Sequence, residues 1–149
     1  MTMNYVFKLE ALRRFRYHQE EMRHKAFADS QRMVEQARTQ LNNQLDLKNN
    51  TELEFQALQS EPLTGPQAGI YRSYLDRLGE QIRRSREKVA DCEKDLEEAR
   101  QALLDAMKKR KAIDKLKENE FHAFLEQINR EEIKFLDEMA INRYTLNQR

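Results

Sequence analysis

Very little in this sequence can break a helix. Its 149 residues include three glycines, two prolines and no tryptophan, whereas ordinary globular chains carry about 7% glycine and 5% proline. That scarcity excludes a fold of many short elements joined by tight turns, because such turns draw on both residues. Cysteine is scarce as well. The single Cys92 cannot close an intramolecular disulfide, and no cysteine and histidine cluster has metal-site spacing, so structural zinc is excluded and a reducing cytoplasm is the expected compartment. No apolar run approaches the roughly 18 residues of a membrane span, and Met1 to Lys8 lacks the successive regions of a secretion signal. Membrane contact is therefore expected only through partners. An excess of one charge is missing too: 27 Lys and Arg stand against 26 Asp and Glu, a net charge of +1, which leaves no global field to draw in nucleic acid.

What the sequence does have is charge and diluted apolarity, 36% and 39% of its residues. That balance suits long, solvated helices joined along a narrow seam. Both prolines and two of the three glycines fall within Pro62 to Gly69, the one interruption of an otherwise helical pattern. Pro62 lacks an N–H and clashes with the preceding turn, whereas Pro66 suits the first turn of a new helix, with Gly65 at or near its N-cap. The expected fold is all-α: a first helix over about residues 5–59, a bend at 60–66 and a second helix over about 66–144, in one coiled-coil domain spanning 1–149. At 1.5 Å per residue the helices measure roughly 80 and 115 Å.

The second helix carries the clearest signal. Alternating steps of four and three from Tyr71 give Leu75, Leu78, Ile82, Ser85, Val89, Cys92, Leu96, Ala99, Leu103, Ala106, Arg110 and Ile113. Only Ser85 and Arg110 are not apolar, so the 3.5-residue period of a left-handed coiled-coil seam runs through six heptads. Beyond Ile113 the pattern resumes at Phe121, Leu125, Ile128, Phe135 and Met139, with the phase shift of a stutter that loosens supercoiling. The first helix offers a thinner stripe of Leu12, Phe15, Met22, Ala26, Met33, Ala37, Leu41, Leu45, Phe55 and Leu58. Its successive steps of four from Met33 to Leu45 predict irregular packing there.

A short bend makes the helices antiparallel and places residue i opposite about 128 − i. The second helix then overhangs the first beyond about Ala123, yet stays apolar at Phe124, Leu125, Ile128, Ile133, Phe135, Leu136, Met139 and Ile141. An apolar stripe without a partner helix marks a docking site or self-association.

Catalytic chemistry finds no footing in the sequence. No phosphate-binding glycine loop is present, and His18, His24 and His122 lack a second histidine at metal-binding spacing. Paired carboxylates such as Glu97 and Glu98 belong to solvated helix faces, with no cleft to perturb them. The expectation is a protein that is not an enzyme, with no catalytic, metal or cofactor residue. Lys108 to Lys111 is the one dense basic run. Successive helical residues spread over all sides, and the run lies opposite Gln19, Glu20 and Glu21, so compensation across the hairpin is expected ahead of nucleic-acid binding. Cys92 is read as a seam residue. Tyr71 opens the seam, and Tyr74 lies off it, free to act as a contact aromatic.

Phe7 Lys8 Leu9 Glu10 Ala11 Leu12, with Arg16, Glu20 and Glu21, resembles the amino-terminal signature of the FliJ family of bacterial flagellar export proteins. Tyr71, Tyr74, Leu75, Leu78 and Ile82 are similar to the start of that family's second helix. Leu116 Lys117 Glu118, Lys134 and Leu136 Asp137 Glu138 Met139 Ala140 are similar to its carboxy-terminal motif. The resemblance implies a cytoplasmic, non-enzymatic component of flagellar type III export, peripheral at the cytoplasmic face of the inner membrane and akin to the central stalk of a rotary ATPase. Implied partners are the flagellar export ATPase, the export-gate membrane protein and export chaperones. The ATPase end would comprise Phe124, Leu125, Ile128, Phe135, Leu136, Asp137 and Met139. The gate-facing set would be Gln40, Gln44 and Leu47 on the first helix with Tyr74 and Leu78 on the second. A coiled-coil tether or scaffold outside flagellar export would need the same seam, and a hairpin and a domain-swapped dimer share one heptad pattern.

Overall fold

The computed structural model describes residues 4–59 and 64–148; Pro62, and with it the expected stop of the first helix, lies outside them. Two helices account for nearly all of these residues, α1 (Glu10–Leu58) and α2 (Gly65–Asn147). No strand occurs among the described residues, and the two helices pack against each other as a hairpin.

Both helix starts have local causes. α1 begins about five residues later than the sequence pattern suggests, at Glu10, whose N–H donates to the Phe7 carbonyl at 3.2 Å. Phe7 is buried at 5% exposure and Tyr5 is half-buried. On a helix, residues two apart point in nearly opposite directions, so a non-helical lead-in lets both rings reach α2. Glu10 in the first turn also suits the positive end of the helix dipole. At the start of α2, the Thr64 N–H donates to Gln67 Oε1 at 3.3 Å, and the Thr64 carbonyl accepts the Ala68 N–H at 3.2 Å. This is half of a capping box, with Thr64 as the cap, Gly65 as the first helical residue and Pro66 in the first turn.

The chain divides into two compact units, Met22–Leu104 and the remaining described residues, 4–21 with 105–148. In the first, here called the bend unit, Val34, Ala37, Leu78, Ile82 and Leu103 form the buried apolar core. Every seam position expected on α2 from Tyr71 to Leu103 is buried or half-buried. The pairing follows the expected register closely. Gln44 meets Ser85, whose hydroxyl donates to Gln44 Oε1 at 2.5 Å. Arg38 bonds Glu93 at 2.8 Å, and Phe55 stacks on Tyr71 with centroids 5.4 Å apart.

The stripe expected on α1 needs correction. Met22, Ala26 and Met33 are exposed. The residues turned to α2 are instead Phe27, Ser30, Val34, Ala37, Leu41, Gln44, Lys48, Thr51, Phe55 and Leu58, all buried or half-buried. Their steps alternate between three and four without a break, so the irregular stretch predicted from Met33 to Leu45 gives way to a regular 3.5-residue period. Polar residues occupy several seam positions, and Gln44, Lys48 and Thr51 there are each bonded. Thr51, for example, donates its hydroxyl to the Leu47 carbonyl one turn back at 2.7 Å.

In the second unit, here the terminal unit, Phe7, Ala106 and Ile113 are the buried apolar residues. Leu12 and Phe15, expected in the seam, are exposed; Arg13, Arg16 and Glu20 are half-buried in their place. Across both units, no buried side-chain nitrogen or oxygen among the described residues lacks a hydrogen-bond partner.

Candidate functional site

The terminal unit closes on charge. Arg13 Nε bonds Asp114 Oδ1 at 3.0 Å, and its Nη1 bonds Glu10 at 3.1 Å. The Tyr17 hydroxyl donates to Asp114 Oδ2 at 2.7 Å. Arg110 bridges Glu20 and, at 3.1 Å, Asp114, and Lys117 Nζ reaches Glu10 at 3.2 Å. The expected compensation of Arg110 by the acidic residues opposite is thus present, while Lys109 pairs within its own helix with Asp105 at 3.1 Å. Burial pushes the Asp114 carboxyl up, but the Tyr17 hydroxyl and the Arg13 and Arg110 guanidiniums outweigh it and hold the group below the usual carboxylate range. Glu10 is lowered chiefly by its bond to Lys117, against an opposing effect of burial. Tyr5, Tyr17 and Phe121 wall an open cleft of about 540 Å³ beside these charges.

Past this network α2 has no partner helix among the described residues, starting two residues later than about Ala123. Tyr5 packs on Phe121 and Phe124 at centroid distances of 5.3 and 5.4 Å, so Phe124, expected on the free helix, is half-buried. From Leu125 to Gln148 every residue is exposed except the half-buried Ile128. The repeat also changes there. Ile113, Phe124, Phe135 and Leu146 recur every 11 residues, as do Lys117, Ile128 and Met139, which is the signature of the expected stutter. An 11-residue repeat matches about 3.67 residues per turn and no longer asks for a left-handed supercoil. Ile133, Leu136, Ala140 and Tyr144 form a second stripe beside the first. At 100° per residue the two cover roughly half of the helix circumference, with Phe135 and Leu136 exposed at 61% and 62%. Asp137, also exposed, lies at the polar edge of this surface.

The gate-facing candidates separate into three environments, all within the bend unit. Gln40 and Leu47 are exposed and Gln44 half-buried; together with Gln36, Thr39 and Asn43 they line an open groove of about 600 Å³ along α1. Arg32 and Glu35 line it as well, so its four amide side chains outnumber its two charged ones. Tyr74 lies in a separate depression beside Pro66, Ile70 and Arg77. Leu78 is 3% exposed, as its seam position demands, and offers no free surface. The exposed apolar residues of α1 outside its seam, such as Leu12, Phe15, Met22 and Met33, were concealed in the sequence by the assumption that apolar residues mark the seam.

The sequence matches the family described as flagellar FliJ protein across residues 5–149. Among solved structures the chain is similar to a protein described as a YscO homolog from Chlamydia trachomatis, with a TM-score of 0.63 and 18% identity over 97% of this chain and 98% of that one. At that identity the likeness concerns the fold. No curated protein matches the sequence. No helix among the described residues is long and apolar enough to cross a membrane.

Proposed function

The chain belongs to the flagellar FliJ family, and from that premise we propose that it is a non-enzymatic, stalk-like part of the flagellar export apparatus that engages the hexameric export ATPase through the overhanging end of α2. The observation that carries the reading is the helix from Leu125 to Leu146, exposed except at Ile128, whose apolar residues spread over about half of its circumference. A helix this apolar is suited to lie among other protein surfaces, and an opening ringed by ATPase subunits would contact it from more than one side. Leu125, Ile128, Phe135, Leu136 and Met139 supply the apolar contacts, and Asp137 a charged one at their edge. Phe124 serves instead to hold the lead-in segment through Tyr5.

In the same proposal the amide-rich groove of Gln40, Gln44 and Leu47, with Tyr74, faces the export-gate membrane protein, and Leu78 supports that face from within the seam. Export chaperones are further partners. The mechanism is mechanical coupling: contact with the hexamer promotes its assembly and links nucleotide turnover to the gate. The protein would work in the cytoplasm at the inner membrane, held there by partners.

The test measures ATP hydrolysis and ring assembly of the cognate export ATPase with the intact chain and with a chain ending at Phe124. Stimulation by the intact chain is expected to vanish on truncation, while circular dichroism shows the remaining hairpin still helical. Stimulation that survives truncation would remove the overhang from the mechanism. A lack of any binding by the intact chain would favour a coiled-coil scaffold.

A further inference from the structure

We propose that the terminal unit is an electrostatic latch: residues 10–20 are closed on residues 110–117 by charge, and competing ions open them. The inference is independent of which partner occupies the overhang. Coiled-coil seams are ordinarily closed by apolar knobs. Here Arg13, Arg16 and Glu20 stand at α1 seam positions, and Arg110 and Lys117 at α2 seam positions on either side of Ile113. Four bonds join the two helices: Glu10 to Lys117, Arg13 to Asp114, Tyr17 to Asp114 and Glu20 to Arg110.

The ion-paired side chains are only partly withdrawn from water, at 12–34% exposure. Pairs at such sites are screened less than fully exposed ones but still weaken as salt shortens the Debye length from about 10 Å at 0.1 M to about 3 Å at 1 M. Apolar burial in the bend unit is not screened in this way. The same charges favour this register, because a shift of one heptad toward Arg110 would set Arg13 near that like charge and part it from Asp114. Opening would release Tyr5 and Phe7 from α2 and bare Ile113, Phe121 and Phe124, which extends the apolar face of α2 toward its middle. A partner that binds this longer face therefore favours the open form.

Amide hydrogen exchange on the full-length protein tests the latch. Between about 0.05 and 1 M NaCl, exchange in peptides from residues 5–21 and 106–121 should quicken about tenfold, while peptides from 30–55 and 75–100 change less than about twofold. Replacing the central pair with apolar knobs, Glu20→Leu with Arg110→Leu, should slow exchange at the terminal end and markedly reduce its salt response. Equal salt responses at both sets of peptides would overturn the proposal, as would a double variant that keeps the full response of the parent. The wild-type comparison decides by itself if the double variant does not fold.

Discussion

Asp114 is a point of convergence in the terminal unit, for it accepts from Arg13, Tyr17 and Arg110 at once. Its carboxyl and that of Glu10 both titrate below the usual range when folded. The sign follows directly: their stabilising effect is present above the ordinary carboxylate pKa of about 4 and is lost as pH falls through the depressed values. Thermal melts by circular dichroism should show stability declining below about pH 4, and Asp114→Asn should reduce that decline. At pH 7 the same variant should lose about 1 kcal/mol, since a charged hydrogen bond is weakened but the site is partly solvated. Glu80 offers a local comparison. Bonded first to Arg83 and then to Arg84, its pKa falls to about 2, and a carbon-detected NMR titration should find that midpoint rise in Arg83→Gln. All three residues in this second cluster lie on α2 and are exposed, so the shift reports local pairing and not closure of the hairpin.

At the scale of the elements, α2 was legible and α1 was only half so, for one physical reason. A coiled-coil seam is read from apolar residues at a 3.5-residue period, and α2 obeys that rule from Tyr71 to Ile113 apart from Ser85 and Arg110. Both exceptions are answered by the opposite helix, through Gln44 and Glu20. On α1 the seam includes Arg13, Glu20, Ser30, Gln44, Lys48 and Thr51, polar residues that an apolar pattern passes over; Arg13, Glu20 and Gln44 are held by partners on the opposite helix that α1 alone does not reveal. Reading apolar residues instead led to the exposed Met22 and Met33. The candidate docking end was legible from the arithmetic of the bend, except at Phe124, where a non-helical Tyr5 reaches further than a helix would have done. These assignments separate by mutation. Leu78→Ala, in the seam, should cost about 2–4 kcal/mol in urea unfolding, whereas Tyr74→Ala, on the surface, should stay within about 0.5 kcal/mol. A loss of gate binding in Tyr74→Ala without a loss of stability would fit a contact role; normal binding would remove Tyr74 from that face. At the start of α2, Gln67→Ala, which removes the acceptor of the Thr64 N–H, should cost about 0.5–1 kcal/mol by weakening the cap.

For the molecule as a whole, the thinness of the seam matters most. No large side chain among the described residues is fully buried, and a two-helix interface engages chiefly two positions in about every seven. The remaining positions answer to solubility and to whichever partners touch them. Sequence can therefore drift quickly on most of the surface while the backbone stays put, and this chain and the chlamydial protein share 18% of their residues yet align over nearly their full lengths. Such a scaffold carries little of its own history in its residue identities. The informative positions for tracing descent are those that depart from the apolar rule and still stay in the seam, because a half-buried arginine or a buried serine changes at least cost in concert with the residue that satisfies it.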